Sequence, residues 1–238
     1  MKIRPLPDID LARIAPLPRD QQRRNLEQIR YGRPPFSYAP LRSCFHDIFN
    51  VHTPLFGPVA PTDWALIETM LWKKCRSPDE LAANLQVARG LNQFTNATEI
   101  FGRAQEFFPM AMGVGQRVVY WLPMILAIED QPLVPFIDPR RSRGLNRAGR
   151  RFAFSMMHER IRVADLDYAA IRFAIFQFGD NEGGVRQPIL HSDVGVELFS
   201  LDEMEAMINA TYELWREVSE EREMEARRKA VGMRGTLL

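Results

Sequence analysis

The sequence predicts an α+β fold: a helical N-terminal half packed with a small, mainly antiparallel sheet and a long C-terminal helix. Ser77-Pro78-Asp79-Glu80 and Ser200-Leu201-Asp202-Glu203 are capping boxes. Each opens a run whose apolar residues recur at spacings of three and four. Between these runs, from about Gln116, the period changes. Val, Trp, Tyr, Ile and Leu accumulate between turn signals, as strands require. The 238 residues, 46% of them hydrophobic, suffice for one substantial core.

Residues 1–17 are punctuated by prolines and are expected to be extended, with little regular structure. A short helix over 18–29 places Leu26 and Ile29 on one face, with Gly32 as its stop. GRPPFSYAP excludes a helix interior or central strand. Residues 41–49 form a brief helix. Thr62 caps a helix over 64–74, with Trp64, Ile67 and Leu71 on one face, and the Ser77 box opens a helix reaching about Phe94. Residues 117–129 and 133–137 read as strands joined at Glu129-Asp130-Gln131, and Pro132 and Pro135 push the second strand to a sheet edge. Residues 138–151 are an arginine-rich connection, 152–160 a helix, and 170–178, 185–191 and 196–199 further strands. After Ser200 comes a helix bearing Leu201, Met204, Ile208, Thr211, Trp215 and Val218. Beyond Val218 almost every residue is charged, so its second half is expected to project into water. The domain plan is therefore a Pro-rich N-terminal segment with an exposed linear motif over 1–62, an α+β core over 63–218, and a charged helix end with flexible tail over 219–238.

Thirty-one basic residues against 30 acidic ones leave a net charge of +1, so no global field holds nucleic acid or an anionic membrane. Direct sequence-specific nucleic-acid binding and membrane association are not expected. Cys44 and Cys75 make no CxxC pair and no disulfide framework. The first residues carry no apolar run of signal-peptide type. The apolar run near 118–128 is broken by Pro123 and falls short of the roughly 20 residues a membrane span needs. A cytoplasmic protein is expected.

His158-Glu159 with Asp165 and Asp167, or His191 with Asp193, are the candidates for a metal or acid–base cluster. HExxH, GxSxG, the Walker loop and GxGxxG are all absent, so these read first as structural or surface residues. Arg140, Arg141, Arg143, Arg147, Arg150 and Arg151 are dense enough to clamp an anion or an acidic protein surface. No aromatic lies between Arg140 and Arg151 to stack a base. The competing reading pairs these arginines with Asp138, Glu159 and the acidic C-terminal helix.

His52-Thr53-Pro54-Leu55-Phe56-Gly57 sets two large apolar residues side by side in a proline-rich linker. Pro54 favours an extended Thr53, and Gly57 and Pro58 keep a helix from consuming the anchors. Leu55 and Phe56 suit two apolar subsites, with His52 as a polar contact at the rim. The alternative buries the pair as core. The pattern resembles the bacterial sliding-clamp pentapeptide, usually Gln-Leu-(Ser/Asp)-Leu-Phe. It matches at Leu55 and Phe56 and departs at His52, Thr53 and Pro54. A looser match, Gln131-Pro132-Leu133-Val134-Pro135-Phe136, falls in the expected hairpin and is set aside.

Across the chain, RPLPDIDLARIAPLP, GRPPFSYAPLR, PFIDPRR and SMMHERIRVADLD resemble the SocB family of toxins from type VI toxin–antitoxin systems. The resemblance implies a toxin, not an enzyme, that blocks replication elongation by occupying the peptide groove of the β sliding clamp (DnaN). The family's motif maps onto His52, Thr53, Pro54, Leu55 and Phe56. It implies as partners a SocA-like antitoxin acting as proteolytic adaptor and the ClpXP protease, and it implies no cofactor. The competing function is a metal-dependent, nuclease-like enzyme using His158, Glu159, Asp165 and Asp167. The C-terminal GMRGTLL is expected to be the disordered end at which proteolysis starts.

Overall fold

The strand segments assemble into one five-stranded mixed sheet in the order β1-β4-β5-β6-β7. The strands are β1 (Phe101–Ala104), β4 (Met124–Ile128), β5 (Gln131–Ile137), β6 (Arg172–Phe178) and β7 (Pro188–Ser192). A separate hairpin pairs β2 (Met110–Met112) with β3 (Gln116–Val118). The computed structural model describes residues 3–29, 37–51, 60–112, 116–179 and 183–234. In the sheet only β5 and β6 run parallel, and α7 (Arg147–Met157) supplies the crossover that a parallel pair needs. The expected α+β class and mainly antiparallel sheet are therefore what the chain forms.

Both faces of the sheet are covered, which is why β5 and β6 are apolar on both sides. Val134, Phe136, Phe173 and Ile175 enter one core, with residues of α1 (Asp8–Ile14), α2 (Arg19–Glu27), α7 and α8 (Leu201–Arg234). Leu133, Ile137, Ala174 and Phe176 enter the other. It includes residues of α3 (Ala39–Arg42), α4 (Phe45–Ile48), α5 (Trp64–Lys74) and α6 (Pro78–Ala97).

The prolines of β5 do not make it an edge strand: it lies at the centre of the sheet. Pro132 stands one residue before the parallel ladder with β6 begins at Leu133↔Arg172, so its missing N–H costs that ladder nothing. Pro135 accepts from Leu122 N on the β4 side, beyond the Leu126↔Leu133 pair where the β4 ladder ends. Glu129 and Asp130, at φ 49° and 60°, form the two-residue turn between β4 and β5, so Gln131 belongs to the strand.

The N-terminal segment is more ordered than its prolines imply. Pro7 and Pro18 stand at the N-caps of α1 and α2 with φ near −58° and −57°, the angle proline already holds. Leu11, Ala12 and Ile14 of α1 are buried. Trp215 Nε1 of α8 donates to Arg4 O at 2.9 Å, and Leu6 N donates to Tyr212 Oη at 3.2 Å.

The cap of α5 is Asp63, whose carboxylate accepts from Ala65 N at 3.2 Å; Thr62 donates instead to Asp47. Ser77 caps α6, accepting from Glu80 N at 3.2 Å, but Glu80 reaches past it to Arg76 N at 2.7 Å and Ser37 N at 2.8 Å. The Ser200 box closes reciprocally: Glu203 N donates to Ser200 Oγ at 3.2 Å, and Ser200 N to Glu203 Oε2 at 2.7 Å. Residues 41–49 form two one-turn helices, α3 and α4, instead of a single helix. The helix expected over 152–160 spans α7 and then widens into a π-helical segment, His158–Val163. Residues 196–199 form no strand; Phe199 N is held by Ser155 Oγ at 2.9 Å, so its partner is α7 and not the sheet. In the charged half of α8, Arg222 turns back onto the C-terminal carbonyls of α2, while residues 223–228 are exposed. Of the expected tail, residues 232–234 continue α8, and 235–238 lie outside the described residues.

Candidate functional site

The motif His52–Phe56 lies outside the described residues, and its frame is set by what flanks it. Upstream, Val51 N donates to His46 O at 2.9 Å, and Val51 forms a parallel bridge to Gly102 of β1. Asn50 takes a left-handed φ of 52° and sends its Nδ2 to Ile100 O at 3.5 Å. Downstream, Thr62 Oγ1 donates to Asp47 Oδ1 at 3.5 Å, and Asp63 caps α5. Both ends of the motif segment are thus tied to neighbouring residues of α4, His46 and Asp47. The looser match over 131–136 is β5 itself. Its Leu133 and Phe136 are buried on opposite faces of the sheet, so they cannot act together as exposed anchors.

The six arginines do not converge on a point. Arg140 Nη1 pairs with Asp10 at 2.8 Å, Arg141 bonds to Gln86, and Arg143 Nη1 donates to Gln28 O at 3.3 Å. Arg150 Nη1 donates to Leu145 O at 3.2 Å and Gln177 Oε1 at 3.0 Å. Burial first, then the Arg147 charge, lowers its pKa. Arg151 stacks over Phe199 at 3.7 Å and reaches Glu197 at 3.8 Å, while Arg147 is exposed in the first turn of α7. The ion-pair partners are Asp10 and Glu197, not Asp138 or Glu159. Asp138 instead accepts from Leu145 N at 2.7 Å and Gln177 Nε2 at 3.0 Å, fixing the loop after β5. The cluster binds this connection to α1, α2, α6, β6 and residues 197–199.

His158 and Glu159 open the π-helical segment, Asp165 accepts from Asp167 N at 3.0 Å, and Asp193 ion-pairs with Arg162 at 2.6 Å. Burial, reinforced by Arg150, lowers the pKa of His191. Among the described residues no three His, Cys, Asp or Glu side chains come together to hold a metal ion, so the donors singled out by sequence are not assembled into a centre. Among them, too, no helix is long and apolar enough to cross a membrane.

A cleft of about 510 Å³ is lined by Phe101, Gly102, Arg103 and Ile125 on one side and by Asp167, Tyr168 and Ile171 on the other. Phe101 is 66% exposed, and Leu166 beside the cleft is 85% exposed. Sequence reasoning missed this feature because its walls come from three separated segments with no shared period.

The family described as sliding clamp-binding bacterial toxin SocB matches residues 9–225. The chain belongs to the SocB family. A DNA replication inhibitor toxin SocB from Caulobacter vibrioides (strain NA1000 / CB15N) is 36% identical over 232 residues, covering 98% of this chain and 97% of that protein. No solved structure matches the chain. Membership rests on both helical layers and the sheet, since the matched span runs from α1 into the exposed half of α8.

Proposed function

We propose that this SocB-family chain is a cytoplasmic toxin that halts replication elongation by placing His52–Phe56 in the peptide groove of the β sliding clamp. It acts by occupancy and needs no catalytic step or cofactor. The observation that carries the reading is the family match over residues 9–225 combined with the frame of the motif: its segment is tied at both ends to α4 by Val51 and Thr62. Leu55 and Phe56 fill the apolar subsites, and His52 makes the polar contact. A SocA-like antitoxin delivers the toxin to ClpXP, with degradation starting at the C-terminal end.

The test is binding of the purified clamp to the wild type and to a Leu55→Ala/Phe56→Ala variant, with toxicity measured at equal protein level. Loss of two buried anchors costs about 2–4 kcal/mol or more in such interfaces, enough to abolish micromolar binding. A variant that still binds and still kills would sink the assignment.

A further inference from the structure

We propose that the outer edge of β7 is a pairing surface for a second copy of this chain, joined antiparallel about Leu190. The inference goes beyond the clamp reading and does not rest on it.

The hydrogen-bond phase of β7 fixes which of its backbone groups face outward. Asp193 N donates to Phe173 O at 3.3 Å, and Gly179 N donates to Gln187 O at 3.2 Å. Both pairs continue the register that sets Ser192 opposite Ala174 and Pro188 opposite Phe178. In an antiparallel ladder each residue turns its amide and carbonyl to the same side, and successive residues alternate. Residues 187, 189, 191 and 193 therefore face β6. Pro188, Leu190 and Ser192 turn their groups away from the sheet, of which β7 is the last strand. Among the described residues no protein group bonds the outward N–H or C=O of Leu190 or the N–H of Ser192. The Ser192 hydroxyl is engaged within its own turn, accepting from Val194 N at 3.2 Å.

The two edges of the sheet differ. On β1 the Val51 bridge occupies Gly102, and Arg103 follows it. On β7 there is no charged residue, and its register with β6 runs without a bulge, so the usual guards of an open edge are missing. Ile189 and Leu190 are 47% and 40% exposed, and they stand on opposite faces of the sheet.

The groups that face outward define the partner. A strand edge is met by another strand, and this edge fits itself. With Leu190 opposite Leu190, each Leu190 N–H meets the other copy's Leu190 C=O. Each Ser192 N–H meets the other copy's Pro188 C=O. That makes about four hydrogen bonds, and the missing N–H of Pro188 leaves only Ser192 C=O, at the end of the pairing, without a donor. Leu190 packs on its own copy across the two-fold axis. Slipping the register to put Leu190 opposite Pro188 keeps only the bonds between those two residues. Slipping it the other way sets Leu190 against Ser192 and Ile189 against Asp193, apolar against polar.

Charge agrees with a like partner. Residues 188–192 are without Lys, Arg, Asp or Glu, and the flanking charges are already engaged: Asp193 with Arg162 at 2.6 Å, and Arg186 Nη1 with Pro139 O at 2.6 Å. Two copies therefore meet without like-charge repulsion, and an acidic or basic peptide gains nothing along the strand. Five residues span on the order of 17 Å. Such a pairing falls at the low end of interface size, below about 1,200 Å² in total, so the dimer is reversible and concentration-dependent.

The experiment is analytical ultracentrifugation of the full chain over a concentration series, with hydrogen exchange at both ends of the series. Leu190→Lys and Leu190→Pro are measured alongside. Proline removes only the outward donor, since Leu190 N–H makes no bond to β6. The expected result is a shift from monomer to dimer with concentration, with the Leu190 and Ser192 amides gaining protection as it occurs. Both variants should weaken self-association at least tenfold while melting near the wild-type temperature. If Leu190→Pro unfolds, Leu190→Lys and the exchange data decide alone. A wild type that stays monomeric across the series overturns the inference. So does a dimer that survives Leu190→Lys, or one in which the Leu190 and Ser192 amides stay open. No clamp is present in these measurements, so their failure leaves the motif reading untouched.

Discussion

Val51 fills the space that the missing side chain of Gly102 leaves: a Cβ built on Gly102 would lie 2.5 Å from Val51 Cγ2 and 3.2 Å from Phe49 O. The last described residue before the motif is therefore seated by a glycine fifty-one positions away. Gly102→Ala should force Val51 out of its seat and cost about 1–3 kcal/mol, as overpacking does. Urea unfolding reads the stability and calorimetry the clamp affinity. An unchanged pair of values would show that the bridge does not set the root of the motif.

Position 52 tests the mapping of the motif in the opposite direction. An amide offers more donor and acceptor sites than imidazole. His52→Gln should bind the clamp at least as tightly as wild type. Weaker binding would count against the alignment with the pentapeptide.

Glu80 gives a prediction in pH. Its carboxyl is 1% exposed and is held down to about 2, first by the Arg76 guanidinium and then by Arg76 N–H, with Ser37 N–H adding to the effect. A depressed folded value stabilises above the unfolded value, here 4.5, and that contribution is lost as pH falls from there through about 2. Glu80→Gln should be destabilised at pH 7, and its difference from wild type should shrink across that window. Melting curves taken from pH 7 to pH 2 decide it; a constant difference would contradict the pairing.

Arg222 fastens the exposed half of α8 to α2. It donates to Ile29 O at 2.9 Å and Leu26 O at 3.2 Å, and its guanidinium lies 5.6 Å from the Trp215 ring centre. Arg222→Ala should cost about 1–3 kcal/mol and speed amide exchange over the C-terminal half of α8. The more exposed Arg23 with Glu221, screened by solvent, should matter much less when Arg23 is truncated.

Removing residues 232–238 should lengthen the protein's half-life in cells that contain the antitoxin, with clamp binding unchanged. An unchanged half-life would move the degradation start elsewhere, with residues 1–18 the next segment to delete.

What was legible in the sequence was local chemistry. The Ser200 box, the Ser77 cap and the turn at Glu129-Asp130 are set by residues within four positions of one another, and each forms. What failed depended on distant neighbours. Pro135 sits in a central strand because the β4 ladder ends before it, which no local rule states. Helix α1 forms between prolines because Leu11, Ala12 and Ile14 gain a core shared with α7 and α8. The arginine cluster was visible, but its partners at Asp10, Gln28 and Gln86 are far away in sequence. Of the motif, sequence is the only witness, since residues 52–56 lie outside the described set; the cleft beside its root was visible only once three segments met.

The bond from Trp215 to Arg4 spans 211 residues. A ribosome adding about 5–20 residues per second makes Arg4 some 10–40 seconds before Trp215. For that interval the nascent chain carries the apolar stripe of α1 with no C-terminal helix to cover it. Prematurely terminated products lack the lid of that core for good. Such products keep exposed the apolar side chains of α1 that share a core with Met204, Ile208 and Trp215 of α8.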